Sequence, residues 1–215
     1  MSSDLNISRL EFGSLLSYLP RVDPRSRTVM LAIKSDKNLA RPPILMSHFI
    51  SHRIKENIGS LPFSDYFDTK PILVPVPNSS LMKAYTLWVP QRLANALHEN
   101  GLGRGVEDVL RRWKPLPKAS LSLPEDRPKA IEHYDSLEVR KKLIDPKDIL
   151  LIDDIVTRGA TLLGAANKLS DIFPGVRIRA FAAMRTISQP GQFRRIYDPC
   201  VGDIRLIGEE TSRNP

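Results

Sequence analysis

Two adjacent carboxylates and a short loop rich in threonine and glycine form the most informative segment of the sequence. Asp153 and Asp154 follow the apolar run 149–152 (ILLI), and the loop 157–161 (TRGAT) comes next and opens a helical pattern. Carboxylates accept hydrogen bonds from paired hydroxyls, whereas backbone N–H groups at a helix N-terminus bind phosphate. Gly159 permits the backbone conformation and the close approach that such a loop requires. The pattern therefore favours a ligand with a cis-diol and a phosphate, such as a ribose 5-phosphate derivative.

The elements on either side of this loop predict where it lies in the fold. The run 149–152 is apolar on both faces, which is typical of a central strand in a parallel sheet. Residues 161–173 follow the helical period, and residues 176–184 predict the next strand. A strand, a helix and a strand in this order indicate a parallel crossover unit. Ligands of such sheets bind beyond the carboxyl ends of the strands, where the loop would lie.

The spacing of apolar residues and the positions of glycine and proline predict further helices and strands. For some segments they do not decide the secondary structure. They predict a helix over residues 44–58 that ends at Gly59, a short buried strand over 72–76, and a helix over 89–99 with Pro90 in its first turn. The segment Thr28 to Ile33 fits either a short strand or part of a helix. Residues 113–147 are polar and proline-rich, and we interpret them as a long connection with little regular patterning, typical of a functional lid. The tail after Ile187 has no predicted place.

The segment 149–161 resembles the 5-phosphoribosyl-1-pyrophosphate (PRPP) binding signature of type I phosphoribosyltransferases. The segment VPVPNSS at 74–80 and the linker at 109–138 are similar to the ComF-like (competence protein F-like) branch of that family. In the linker, Arg127 matches the family's arginine, but Ala130 stands where an asparagine is usual. The sequence also lacks the N-terminal zinc-binding cysteine cluster of many ComF-like chains, and it has no arginine-glycine element near residues 84–86.

The resemblance implies a single α/β domain over residues 1–215 with the type I phosphoribosyltransferase fold. Such a fold has a mostly parallel central sheet, helices on both faces and a variable hood. The resemblance covers about residues 70–186, which would form the core. Residues 1–60 and 187–215 would then supply the hood or accessory segments.

The resemblance also implies an activity, which is transfer of the 5-phosphoribosyl group from PRPP to a nitrogenous acceptor with release of pyrophosphate. Mg²⁺ would be bound through PRPP and not directly by the chain. The implied residues are Asp153 and Asp154 for catalysis, Thr157, Arg158, Gly159, Ala160 and Thr161 for the 5-phosphate, Pro77, Asn78, Ser79 and Ser80 for pyrophosphate, and Lys114, Lys118, Arg127 and Lys129 in a flexible loop. Arg158 replaces a usual small residue, and it would either contact phosphate or point into solvent.

The charge of the chain leaves a different class of function open. The formal net charge of +8 and the pI near 9.7 favour anionic partners, including nucleic acid. A non-catalytic PRPP or nucleotide sensor that binds nucleic acid is therefore the alternative, and a PRPP-binding scaffold in a DNA-uptake or defence assembly is a weaker one. The basic residues are spread along the chain, which is more typical of a solvated surface than of a binding stripe. A homodimer is expected because dimers are the commonest oligomers.

Other features predict location and exclude some kinds of site. No apolar run approaches the length of a membrane span, and the N-terminus shows no secretory signal, so we expect a cytoplasmic protein with no membrane partner. The single cysteine, Cys200, excludes an internal disulfide framework, and we assign it no role. His48 and His52 have metal-ligand spacing without a nearby acid, so we interpret them as ordinary histidines. Trp88 and Trp113 are interpreted as core or rim residues.

Overall fold

The computed structural model describes residues 5–37, 43–83, 85–117, 123, 126–140 and 146–215. The strands are β1 (Arg9–Tyr18), β2 (Ile72–Pro75), β3 (Gly105–Val106), β4 (Leu110–Arg112), β5 (Leu137–Val139), β6 (Asp148–Val156), β7 (Arg177–Thr186), β8 (Tyr197–Ile207) and β9 (Glu210–Asn214). The helices are α1 (Pro24–Lys34), α2 (Met46–Asn57), α3 (Val89–Glu99), α4 (Ala130–Asp135) and α5 (Ala160–Ile172).

The central sheet has seven strands in the order β3-β2-β6-β7-β1-β8-β9. The first five strands in this order pair in parallel, and β8 and β9 continue the sheet as antiparallel strands. Strands β4 and β5 form a separate two-stranded antiparallel sheet. The prediction of an α/β fold with a mostly parallel central sheet is therefore confirmed.

The core consists of two apolar clusters, one on each face of the sheet. On β6, Leu150 and Ile152 belong to the cluster that contains buried residues of α1, α2 and α3. Ile149 and Leu151 belong to the cluster that contains buried residues of α4 and α5. Successive strand residues point to opposite faces, so the unbroken apolar run of β6 is buried on both sides by helices.

The elements predicted from local patterns lie close to their expected places. Helix α3 covers the predicted range, and α2, α5 and β2 differ from prediction by a few residues at their ends. The segment Thr28 to Ile33 lies inside α1, which settles the choice between strand and helix. Strand β6 extends to Val156, beyond the predicted 149–152, and β7 extends to Thr186, beyond the predicted end at 184. Both acids therefore lie inside β6.

The interpretation of residues 113–147 as a connection with little regular structure is wrong in part. This segment contains α4 and β5, which are only six and three residues long and therefore too short to show a period. Helix α4 packs closely on α5, since a Cβ added at Gly164 would lie 2.6 Å from the carbonyl oxygen of Ala130. Among the described residues, no helix has both the length and the apolar character needed to cross a membrane.

Candidate functional site

Asp153 and Asp154 lie near the C-terminal end of β6 and form the acid pair of the candidate site. Each side chain accepts a hydrogen bond from the next backbone N–H, at 2.8 Å from Asp154 and at 2.7 Å from Ile155. These two bonds fix both carboxyl groups close to the strand. The side chain of Asp154 is 13% exposed, so the pair lies in a partly dry environment.

Burial and, second to it, the charge of the neighbouring Asp154 carboxylate raise the pKa of Asp153 from its ordinary value of 3.8 to about 8. The charge of Lys34 and the hydrogen bond from the Asp154 backbone act in the opposite direction. Two adjacent carboxyl groups with little water around them cannot easily both ionise. The acid pair therefore favours a state with one shared proton and a single negative charge.

Lys34, the last residue of α1, forms an ion pair with the acid pair. Its Nζ lies 2.9 Å from Oδ2 of Asp154. Burial works against the charged ammonium, but the Asp154 carboxylate, through its charge and hydrogen bond, and the Asp153 charge outweigh that effect and raise the pKa of Lys34. Helix α1 thus carries a cation to the carboxyl end of β6.

The end of α1 is anchored by the buried side chain of Asp36, two residues beyond Lys34. One oxygen of Asp36 accepts from the backbone N–H of Ser47 at 2.8 Å, and the other accepts from the Ser47 hydroxyl at 3.2 Å and from Arg92 at 3.1 Å. Because Ser47 lies in the first turn of α2, the carboxylate also caps that helix. This anchor joins α1 to α2 and α3.

The loop after β6 has the form of an anion cradle. Gly159 is the N-cap residue of α5 and has a φ of +87°, in the left-handed region. A Cβ at this position would lie 2.5 Å from the side chain of Ile204 on β8, so the position needs glycine for two reasons. The first amides of α5 have no acceptor within the helix, and they open toward the carboxyl end of the sheet.

The C-terminal hairpin, β8 and β9, braces this loop from behind. Arg213 on β9 donates from Nε to the carbonyl oxygen of Thr157 at 2.7 Å and from a terminal nitrogen to the carbonyl oxygen of Thr186. Arg158 pairs with Glu210 on the same strand at 3.1 Å. In this structure Arg158 therefore bonds to the hairpin. The sequence interpretations for this residue were a phosphate contact or a side chain in solvent, and neither included a bond to β9.

The segment 77–80 begins beside the acid pair. Strand β2 pairs with β6 so that Pro75 lies opposite Ile152, and the backbone N–H of Val76 donates to the Ile152 carbonyl oxygen at 2.9 Å. Neighbouring strands lie about 4.8 Å apart, so the segment leaves the sheet next to the acids. The Asn78 carbonyl oxygen accepts from Arg112 at 2.6 Å, and the Ser79 carbonyl oxygen accepts from Leu116 N–H at 2.9 Å.

A chain of buried polar side chains links this segment to the phosphate loop. Arg112, which is 2% exposed, also donates to the hydroxyl of Ser136 and approaches Nδ1 of His133 at 3.4 Å. Nε2 of His133 lies 3.3 Å from the hydroxyl oxygen of Thr161. Burial, followed by the Arg112 charge, lowers the pKa of His133 to about 3, so the ring is neutral at physiological pH. Because the guanidinium can only donate, Nδ1 accepts and Nε2–H donates to Thr161.

The predicted flexible-loop residues lie in different places. Lys114 is exposed beyond β4, and Lys118 lies outside the described residues. Lys129 precedes α4 and bonds to Glu209 at 2.5 Å, with Glu210 at 3.8 Å, which places it beside the phosphate loop. Arg127 is half-buried near the start of the same helix. Among the described members of this set, Lys129 thus shares the partner Glu210 with Arg158 of the phosphate loop.

A mainly apolar cavity of about 310 Å³ lies among α1, α2 and the first part of β8. It is lined by Leu15, Leu16, Val29, Met46, Phe49, Arg53, Ile196 and Tyr197. All of these residues belong to the two segments that the sequence predicts as hood. Helix α1 connects this cavity to the acid pair, because Val29 and Lys34 lie on the same helix.

Four residues of the site were not predicted from the sequence: Lys34, Arg112, His133 and Arg213. For Arg112 the sequence offered one signal. It lies two residues from Leu110, so in a strand both side chains point to the same, buried face. The other three reach the site through contacts between distant segments, for which a single sequence has no local signal.

The remaining residues singled out by type have ordinary surroundings. His48 lies 3.9 Å from Glu99, and within the described ranges no group of three or more His, Cys, Asp or Glu side chains is placed to hold a metal ion. Trp88 donates to the Val76 carbonyl oxygen at 2.8 Å, which supports the start of the segment 77–80. Cys200 is half-buried, with Sγ 3.3 Å from the Ser14 hydroxyl.

Comparison with known proteins does not assign the chain to a family. No protein-family model matches the sequence. A search of curated proteins found no significant match.

Proposed function

We propose that this protein binds PRPP on a type I phosphoribosyltransferase fold and transfers its 5-phosphoribosyl group to a nitrogenous acceptor. The observation that carries the proposal is the acid pair on β6 with two candidate anion loops beside it. One loop follows β6 directly, and the other follows β2, the neighbouring strand. A diol site between two phosphate sites matches a ribose that carries phosphate groups at C5 and C1.

In the proposed complex, the ribose hydroxyls donate to the acid pair, and the 5-phosphate accepts from the loop 157–161. The hydroxyls of Thr157 and Thr161 add to the backbone amides of that loop. The Thr161 hydroxyl accepts from His133 and can therefore direct its own proton toward the ligand. The phosphate would need no side-chain cation at the loop itself, since amides at a helix N-terminus already favour an anion.

Pyrophosphate is proposed to bind along the segment 77–80, through backbone amides, and Mg²⁺ to enter with it. The chain itself offers little room for a metal ion at the acid pair. One oxygen of each carboxyl accepts a backbone N–H, and Oδ2 of Asp154 faces Lys34. Mg²⁺ commonly takes most of its ligands from phosphate oxygens and water. When bound by the ligand, the ion would offset negative charge on the leaving pyrophosphate.

The proposed transfer breaks the bond between C1 and the pyrophosphate oxygen and forms a bond from C1 to the acceptor nitrogen. The electron pair of the broken bond leaves with pyrophosphate, and the proton of the acceptor nitrogen passes to solvent. Positive charge develops on the ribose ring in the transition state, as in other glycosyl transfers. The acid pair lies where it would stabilise that charge, and the two loops hold the ligand at both ends.

The proposal is tested by calorimetric titration of Mg²⁺-PRPP into the protein and into the double variant Asp153→Asn/Asp154→Asn. We expect the double variant to lose at least about tenfold in affinity, because two acceptors for the ribose hydroxyls are weakened. Asp148→Asn is the matched control, since Asp148 lies at the other end of β6 and pairs with Arg177 at 2.8 Å. That variant should bind like the wild type.

A second assay separates transfer from binding alone. Release of pyrophosphate is measured across a panel of nucleobases and amines. Binding without release by any acceptor would favour the alternative of a non-catalytic PRPP or nucleotide sensor, for which the net charge of +8 suggests a nucleic-acid partner. Failure of the wild type to bind PRPP would remove the transferase and a PRPP sensor, and only a nucleotide sensor that binds nucleic acid would then be left to test.

A further inference from the structure

We infer that Lys34 supplies to the acid pair the positive charge that a divalent cation would otherwise bring, so that binding of the phosphoribosyl ligand depends only weakly on Mg²⁺. This inference rests on the proposed function and adds a ligand-binding residue to it. The observation that carries it is the distance of 2.9 Å between Nζ of Lys34 and Oδ2 of Asp154.

The ion pair changes what an anionic ligand meets at this site. Two carboxyl groups would repel the phosphates of PRPP if both were charged and had no cation nearby. With one proton shared by the pair, one negative charge remains, and the ammonium of Lys34, 2.9 Å from Oδ2 of Asp154, offsets it. The three groups together are then close to neutral, and the ribose hydroxyls can approach them without a metal ion.

Lys34 also has spare capacity to bind the ligand. Its ammonium carries three N–H donors, and the bond to Asp154 uses one of them. The side chain is 52% exposed, so it has room to turn the other donors toward oxygen atoms of a sugar or phosphate. A metal ion bridges carboxylate and phosphate oxygens by binding both, and an ammonium in this position can bridge them by donating to both.

The backbone around Lys34 is held in place, which distinguishes it from an ordinary surface lysine. Asp36 anchors the end of α1 to Ser47 and Arg92 through bonds of 2.8 to 3.2 Å. The backbone N–H of Ser35 also completes the helix by donating to the Leu31 carbonyl oxygen at 3.1 Å. Only the lysine side chain has to move for the ammonium to follow a ligand.

The test is calorimetric titration of PRPP in EDTA and in Mg²⁺, with the wild type and with Lys34→Met. In the wild type, we expect EDTA to change the affinity by less than about tenfold. In Lys34→Met, we expect a loss of more than about tenfold in EDTA, and Mg²⁺ should restore most of it. Lys34→Arg keeps the charge and should stay close to the wild type in both conditions.

Lys37→Met is the matched control, because it removes the same charge from an exposed position three residues away. It should bind like the wild type in both buffers, and thermal unfolding of each variant checks that the fold is retained. Equal dependence on Mg²⁺ in Lys34→Met and the wild type would overturn the inference, as would a wild type that binds only with Mg²⁺. In both cases PRPP still binds and the proposed function stands, whereas no binding in either buffer would remove both.

Discussion

The two candidate ligand loops differ in how firmly the rest of the chain holds them. The phosphate loop 157–161 is backed by the C-terminal hairpin, with Ile204 against Gly159 and with Arg213 bonded to the Thr157 carbonyl oxygen. The loop after β2 is held at residues 78 and 79 by bonds from Arg112 and from the Leu116 N–H, and the Asn78 side chain reaches the Leu87 carbonyl oxygen at 3.5 Å. Further along, Tyr85 is fully exposed and has a φ of +65°.

Under the proposed function, this difference implies two ways of binding an anion. The braced loop is organised before the ligand arrives, so little conformational entropy is lost there on binding. In the loop after β2, residues 81–83 and 85–87 are exposed, so in the proposed complex this part would adapt to what binds beside it. A site of this kind would hold one end of the ligand rigidly and leave the other end adjustable.

The largest effect is expected from Gly159→Ala, which acts on the braced loop. The new Cβ would lie 2.5 Å from Ile204 in a backbone conformation that disfavours side chains, so we expect a loss of about 2–4 kcal/mol in the free energy of unfolding and strongly weakened PRPP binding. Gly175→Ala is the control, because Gly175 has a φ of +77° but open space around it, and it should lose about 1 kcal/mol. If urea unfolding showed the same loss of stability in Gly159→Ala and Gly175→Ala, the contact with Ile204 would not contribute to the effect.

The next effect concerns the buried link between the two loops. Arg112→Met leaves the Asn78 carbonyl oxygen and the Ser136 hydroxyl without their donor, so we expect unfolding to require about 2–3 kcal/mol less. The neighbouring Arg111→Met removes only an exposed pair at 3.8 Å and should cost less than about 0.5 kcal/mol. If calorimetry found PRPP affinity unchanged in Arg112→Met, the link would be structural and would not position the ligand loops.

The acid pair lies between the loops, and its protonation predicts a pH dependence. Because the folded state raises the pKa of Asp153 from 3.8 to about 8, it holds a proton that the unfolded chain has lost in this range. The stability from this group is therefore fully present below pH 3.8 and is lost as the pH rises through about 8. Urea unfolding from pH 4 to 9 should show this fall in the wild type. The free energy of unfolding of Asp153→Asn should change less with pH over the same range. An equal slope in the variant would show that other groups cause the fall.

The smallest effect is expected from Tyr85→Gly, which acts on the adjustable loop. Glycine removes the strain of a φ of +65° but increases the freedom of the unfolded chain, so the two effects nearly cancel and stability should stay within about 0.5 kcal/mol. PRPP affinity should change by no more than about twofold. Tyr85→Ala separates the ring from the backbone. A large loss of affinity in both variants would show that the ring binds the ligand and that the middle of this loop is not freely adjustable.

The sequence predicted the parts of the fold that a contiguous pattern encodes. Strand β6, the phosphate loop and helix α5 follow one another directly, and the apolar period of α3 marks that helix as well. Strand β1 was missed although it lies inside the sheet. Ser14 and Ser17 occupy buried positions in it, and these polar residues hide the apolar alternation that would have predicted a strand.

The parts of the site that the sequence did not predict depend on which distant segments meet. Lys34 approaches Asp154 because α1 ends at the carboxyl edge of the sheet, and the neighbours of Lys34 in sequence do not encode that position. Arg213 reaches Thr157 although its strand, β9, lies at the edge of the sheet and away from β6 in the strand order. Such contacts are set by strand order and packing, which are properties of the whole fold and not of a local segment.

The C-terminal hairpin also sets the order in which the site can be completed during synthesis. Thr157 leaves the ribosome 56 residues before Arg213, the residue that bonds to its carbonyl oxygen. A nascent chain that has already formed β6 and α5 still lacks the strand that gives the loop its shape. A chain that ends before residue 210 would lack the partners of Thr157 and Arg158 on β9, so we expect its loop to bind an anion less tightly than the full chain does.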